Sequence, residues 1–465
     1  MKLLITKGNT MSTKDMTIGN PTKLILWFAL PLFIGNLFQQ FYNLVDTLIV
    51  GRTLGVESLA AVGSTGAIAF LVLGFVMGTT SGFSVITAQR FGAKDYEGVR
   101  KSFVSIMILC ILLTIFLTTA STLTTMPLLE IMNTPQNIIQ QAYEYIFVIY
   151  LGIGTIIFYN AISNIIRALG DSKTPLVFLI LASIMNIILD LIFIIKLKLG
   201  VAGAGWATTI SQGISAVLCL SYMFYKFPIL KLEKKDWYIN FKFLWEHFRI
   251  GFPMGFQMSI LTIGIIALQV VLNSFGSDTV AAFTAAVKVE QTASQAFLAI
   301  GVAIATYTAQ NFGAGNFNRI RIGASKCLRI NIVLTAISGL IIFLGGKYLV
   351  NLFISGHHPQ ITEQAQLYLC IIALFYFGLG TILLYRNVLQ GMGNVKIPLI
   401  SGLIELVMRA AAAFILAHYF GFLGVCFATP CAWVAGAIWL AVGYKKTIKK
   451  IIQRNKQLSF LTLNE

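Results

Sequence analysis

The chain has 465 residues, of which 57% are hydrophobic and 11% charged, with a formal net charge of +17 and a mean hydropathy of +0.82. Soluble domains carry roughly 25% charged residues, so a soluble chain of this length is excluded, and 35 Phe exclude disorder. What remains is an all-α integral membrane protein whose spans take about 20 apolar residues each.

Lys2 and Lys7 precede a polar stretch, and the first apolar run is long enough to span, so no cleavable leader is expected. That run, 24–50, carries a polar stripe. Asn36, Gln40 and Asn43 are spaced four and three apart, and so are Gln39, Asn43 and Asp46. Spans at 58–84 and 100–124 follow, joined through Ala88-Gln89-Arg90-Phe91-Gly92-Ala93. The fourth, 140–163, leads into Asn160, Asn164 and Arg167. The fifth, 175–196, repeats the polar device with Ser183, Asn186 and Asp190, and the sixth, 201–225, offers Thr208, Ser211, Gln212 and Ser215. A basic stretch, 226–249, comes next. The remaining spans are expected at 247–273, 280–308, 323–349, 365–389, 396–419 and 422–444, which makes twelve.

Four blocks recur in the same order. Ala88-Gln89-x-Phe91-Gly92-Ala93 matches Ala309-Gln310-x-Phe312-Gly313-Ala314 at an offset of 221, and Gly170, Lys173 and Pro175 match Gly393, Lys396 and Pro398 at 223. Gly200 with Ala207-Thr208 matches Gly421 with Ala428-Thr429, and Gly152 with Thr155 matches Gly378 with Thr381. Six spans per repeat is an even number, so both halves enter from the same side as parallel repeats. The expected organisation is an N-terminal segment (1–23), an N-lobe (24–225), a linker (226–246), a C-lobe (247–444) and a basic tail (445–465).

Charge placement gives the orientation. With the N-terminus inside, 28 Lys and Arg fall on inner segments and 4 on outer loops, leaving Lys288 and Arg409 within spans. The positive-inside rule then puts both termini in the cytoplasm. The basic residues lie against lipid headgroups, so no nucleic-acid partner is expected. No phosphate-binding loop occurs, because Gly346-Lys347 lacks the upstream Gly and the following Ser or Thr. The six Cys show no metal or disulfide spacing. His357-His358 before Pro359 reads as a solvated turn. The chain is therefore not expected to be an enzyme, to need a cofactor or to hold a metal, and uphill transport has to draw on an ion gradient.

Acids inside spans are rarely idle, since each costs roughly 2.5–3.5 kcal/mol to insert. Asp46, Asp190, Glu290 and Glu405 are the four. Asp46 and Asp190, with Asn186 and Thr208, are the expected coupling site. Gln39, Gln40, Asn43, Asn160, Asn164, Gln212 and Glu290 are candidates for a substrate cavity, although single amides also serve as helix-to-helix glue. Glu405 and Arg409, four apart, are expected to form a structural ion pair. Tyr376, Tyr385, Phe283 and Phe297 either line a drug pocket or pack.

Residues 31–52, Pro-Leu-Phe-Ile-Gly-Asn-Leu-Phe-Gln-Gln-Phe-Tyr-Asn-Leu-Val-Asp-Thr-Leu-Ile-Val-Gly-Arg, resemble the first helix of the multidrug and toxic compound extrusion (MATE) family. That family lies within the multidrug/oligosaccharidyl-lipid/polysaccharide flippase superfamily. The duplicated Ala-Gln-x-Phe-Gly-Ala blocks resemble its helix 2–3 and helix 8–9 loops, and the resemblance covers 16 to about 445. It implies a twelve-helix, two-lobe antiporter of a bacterial plasma membrane, exporting organic cations or other amphipathic drugs against H⁺ or Na⁺, with a monomer expected. On this resemblance the family's helix 1 acid falls on Asp46. The helix 5 Asn and Asp of one bacterial branch fall on Asn186 and Asp190, and its helix 6 Thr on Thr208. The helix 7 Glu of another branch has no counterpart near Leu261. The alternative within the superfamily is a flippase for a lipid-linked cell-wall or polysaccharide precursor, which would want a more cationic cavity.

Overall fold

The computed structural model describes residues 15–238, 241–352 and 359–461, so His357 and His358 lie outside the described residues. Those residues form fourteen α-helices and no strand. They are α1 (Pro21–Leu54), α2 (Val56–Ser64), α3 (Gly66–Gly92), α4 (Tyr96–Ile131), α5 (Gln136–Leu151), α6 (Ile153–Ala168), α7 (Lys173–Asp190), α8 (Gly200–Lys226), α9 (Phe241–Asn273), α10 (Ser277–Gly313), α11 (Phe317–Asn351), α12 (Pro359–Gly391), α13 (Lys396–Phe420) and α14 (Phe422–Leu461). Eleven spans among the described residues are long and apolar enough to cross a membrane. The pair α5 and α6, bent by 47° at Gly152, makes a twelfth when counted as one.

Local chemistry sets the boundaries. Asn20 starts α1 by accepting from Thr22 N (3.0 Å) and Lys23 N (3.4 Å), with Pro21 at the first helical position. The second apolar run is interrupted at Thr65, so its first turns become the separate α2. After Asp190 the chain widens into a π-helical segment, Leu191–Lys196, a rare form that collects at functional sites. The seventh span begins at Phe241, six residues earlier than the apolar run implies. The last helix runs through the basic tail for 40 residues, about 60 Å at 1.5 Å per residue, or twice the hydrocarbon thickness.

Two large apolar cores hold the halves. One is built between Ala61 and Leu230 and the other between Leu268 and Ile448. The first turns of α1 cross over, and Ile25, Phe28, Ala29 and Leu32 bury in the second core. Between the halves α3 lies against α9, where a Cβ on Gly82 would crowd the backbone of Gly251. A small apolar cluster seals this seam at one end, drawing Val85, Ile86 and Ala88 from α3, Ala168 from α6, Ile250 and Met254 from α9, and Ala309 from α10. The N-terminal residues, the linker and the start of α14's basic tail share that end. Met16 bonds Gln310, Asp236 of the linker pairs with Arg100 (2.8 Å), and Asn394 bonds Thr447 (3.5 Å).

Asp171, between α6 and α7, pins the same end. Its carboxylate accepts from Lys173 N (2.9 Å), Thr174 N (3.1 Å), Thr174 Oγ1 (2.6 Å) and Lys226 Nζ (2.7 Å). Burial pushes this carboxyl up, but the Lys226 and Thr174 bonds outweigh burial and hold it below the usual carboxylate range. Because the folded value lies below the unfolded value near 3.9, this stabilisation is present above about pH 4. It is lost as pH falls through the folded value. Asp171→Asn is expected to lower stability in detergent by about 1.5–3 kcal/mol at neutral pH. A thermal-unfolding series across pH should show that difference shrinking toward zero in acid.

Candidate functional site

The polar stripe of α1, the end of α7 and the middle of α8 converge inside the first half. Asp190 is fully buried (0% exposed) and Asn186 nearly so (1%). Asn186, in the amide orientation that satisfies both of its ends, donates to Asp190 Oδ2 (2.9 Å). It accepts from Thr208 N (3.0 Å) and Thr208 Oγ1 (3.2 Å). Asp46 comes from α1, and its carboxyl lies within hydrogen-bonding reach of the Asp190 carboxyl. Asp46 Oδ1 and Asp190 Oδ1 are both buried without a hydrogen-bond donor. Two carboxylates in a low-dielectric interior cannot both stay charged and unpaired at this separation. The geometry therefore asks for a proton between them or a cation beside them.

Two further residues belong to this site. Tyr42, one helical turn before Asp46, reaches Thr208 and lies within electrostatic range of both carboxyls. Tyr145 of α5 lies within electrostatic range of Asp46 and Asp190. The four-residue step from Tyr42 to Asp46 was the available signal for the first. Nothing in the local sequence pointed to Tyr145.

The proposed cavity residues scatter. Gln39 and Gln40 are half-buried on α1 and Asn43 is exposed. Asn160 turns back to its own helix at Ile156 O (2.9 Å). Asn164 is taken up by Thr80 Oγ1 (3.4 Å) and by Arg167 Nη1 (3.0 Å). Gln212 keeps a buried Oε1 with no donor. Glu290 lies in the other half, accepting from Tyr368 Oη at 2.6 Å.

The second half corrects two expectations. Glu405 pairs with Arg386 Nη2 of α12 (2.5 Å) and accepts from Ser401 Oγ (2.8 Å), so its ion-pair partner is not Arg409. Arg409, 6% exposed, makes no ion pair among the described residues, and its Nη1 lies beside the position of Gly264 on α9. Arg386 is a buried cation within α12, which adds to Lys288 and Arg409 as cations within spans. The aromatic residues pack. Phe297 meets Tyr376 (ring centroids 5.7 Å apart), Phe283 meets Tyr368 (4.8 Å), and Tyr385 stacks on Tyr444 (4.8 Å). Phe283, Phe297 and Tyr376 are core residues of this half.

A duplicated bundle of membrane-spanning helices, with a carboxyl pair sunk inside one half, defines a polytopic transporter. The MatE family pattern matches the chain twice, at 31–192 and 253–415, and the chain belongs to the MatE family. The two matches start 222 residues apart, in line with the internal repeat. The probable multidrug resistance protein YpnP of Bacillus subtilis (strain 168) is 30% identical over 403 residues, covering 85% of this chain and 88% of its own. The probable multidrug resistance protein YoeA of the same strain is 28% identical over 450 residues, covering 92% and 95%. Among solved structures, an outward-facing multidrug resistance MATE family transporter of the MOP superfamily superposes with a TM-score of 0.88 at 25% identity. The match covers 96% of this chain and 100% of that one. The protein is thus a multi-span member of a bacterial multidrug efflux transporter family.

Proposed function

We propose that the protein is a secondary active antiporter that exports amphipathic, mostly cationic compounds in exchange for H⁺ or Na⁺ by alternating access between its halves. The observation that carries this reading is the Asp46–Asp190 pair, with one unsatisfied buried oxygen on each carboxyl. A proton shared by the two would satisfy both. A Na⁺ ion would find hard oxygen ligands in the carboxylates, the Asn186 carbonyl and the Thr208 hydroxyl. With the ion bound, the pair loses the negative charge that attracts a cationic drug. Ion and drug then compete for one charge, which is the coupling that antiport requires.

The test is efflux of an ethidium-like dye from energised cells. Collapse of efflux on adding a proton or sodium ionophore supports antiport. Efflux that ignores both ionophores, together with rescue of a cell-wall or glycan defect, would favour the precursor flippase instead.

The reading also places both termini and the linker in the cytoplasm, supported by the excess of Lys and Arg at the end they share. Lys235 lies on the exposed linker, paired with Glu233 at 3.0 Å. A Lys235→Cys variant in intact cells is expected to resist an impermeant maleimide and to react after permeabilisation. Labelling from outside would invert the topology.

A further inference from the structure

The duplicated Ala-Gln-x-Phe-Gly-Ala blocks have no part in the carboxyl site, yet the structure gives them matching contacts across the seam. Gln89, at the end of α3, donates through Nε2 to Gly391 O, the last residue of α12 (2.9 Å). Gln310, at the end of α10, donates through Nε2 to Ala168 O, the last residue of α6 (2.8 Å). The two donors are repeat equivalents, 221 residues apart, and the two acceptors are equivalents, 223 apart. Each amide therefore reaches out of its own half and caps the final carbonyl of the same helix in the other half. Final-turn carbonyls have no partner within their helix.

The glycines of the blocks fit the same geometry. A Cβ on Gly92 would overlap Gln310 O, and one on Gly313 would overlap Gln89 O, so the ends of α3 and α10 touch through bare backbone. The symmetry breaks in one respect. Gln310 Oε1 also accepts from Met16 N (2.9 Å), and Met16 O accepts from Asn311 Nδ2 (3.1 Å). Arg319 Nη2 holds Gly19 O (3.0 Å), and the Met16 side chain, 1% exposed, inserts into the core of the second half. The repeat equivalent of Asn311 is Arg90, which instead contacts the linker at Glu246 (3.6 Å) and Phe243.

We propose that Gln89 and Gln310 are the paired latch that seals this end of the transporter, with the Asp15–Asn20 strap fastened to the Gln310 arm. The inference rests on the transport reading, because a seam that must open and close needs contacts that can be remade. A hydrogen bond to a helix-end carbonyl suits that task, since water replaces it when the seam parts and its net worth is small. The apolar cluster around Val85 and Met254 keeps water out while the latch holds.

The test needs neither drug nor coupling ion, so it stands apart from failure of the antiport reading. The purified protein in nanodiscs, with its native thiols replaced, carries Val85→Cys in the sealed seam. A small maleimide reaches that thiol only through transient opening, so its rate reports the open population. Gln89→Ala and Gln310→Ala are each expected to raise the rate roughly fivefold, and the double variant roughly 25-fold if the two arms act independently. Gly92→Ala, which drives the Gln310 backbone away from the seam, is expected to raise it too. A control thiol at the exposed Lys94 should react at one rate throughout. An unchanged rate in the double variant overturns the latch, and so does an effect confined to one of the two glutamines.

Discussion

Asp46→Asn and Asp190→Asn are each expected to abolish gradient-driven efflux, down to passive leak, while leaving folded yield close to that of the unsubstituted protein. Asn keeps the size and hydrogen-bonding capacity of Asp but cannot take up a proton or carry the charge that recruits a cation. Each change lowers the uncompensated negative charge in that interior rather than stranding an opposite charge. Purified protein should therefore be monodisperse, and drug exchange driven by drug concentration alone should persist. Tyr42→Phe is expected to be milder, because Thr208 keeps its bonds to Asn186. Efflux at the unsubstituted rate in both Asp variants, with the same pH and Na⁺ dependence, would move the coupling site elsewhere, and Glu290 would be the next acid to test.

The second large effect is structural and lies in the other half. Arg386 and Glu405 are both buried and joined at 2.5 Å, with Ser401 as third partner. Removing one member of a buried pair strands the other, at a cost of about 3–5 kcal/mol. Glu405→Gln and Arg386→Gln are each expected to reduce folded yield sharply. The double variant is expected to recover much of it, because no charge of that pair is then left over. Arg409 would lose the compensating charge of Glu405 and keep only the lesser one of Glu290, so the recovery is partial. Folded yields measured by size-exclusion fluorescence for the two singles and the double complete the cycle. Single variants that fold normally and fail only in transport would assign the pair a role in the cycle instead.

The carboxyl site was legible for a physical reason. Polar residues are expensive in lipid, so a stripe at three- and four-residue steps on α1 and α7 has to face an interior. Asp46, Asn186, Asp190 and Thr208 do meet there. Tyr42 and Tyr145 were missed because a tyrosine in a membrane helix costs little and reads as packing. The Glu405–Arg409 expectation failed because helical spacing only says which residues share a face. In a bundle interior the nearest cation came from a neighbouring helix, where Arg386 sits in the last turns of α12. The latch glutamines were visible as a repeat, but their contacts lie across more than a hundred residues of chain and only the folded seam reveals them. The bend at Gly152 and the π-helical segment after Asp190 are likewise tertiary features that no apolar run announces.

The most direct test of the account is ion movement itself. Proteoliposomes holding the purified protein and a fluorescent cationic drug would be given an imposed pH gradient or an imposed Na⁺ gradient, one at a time, with ion flux and drug flux recorded together. The account predicts that one of the two gradients drives drug uphill and that the same ion flows the opposite way. It also predicts that the uphill drug flux and the opposing ion flux both vanish in Asp46→Asn and Asp190→Asn. Drug movement that follows its own concentration gradient alone, with no opposing ion flux under either condition, would contradict antiport.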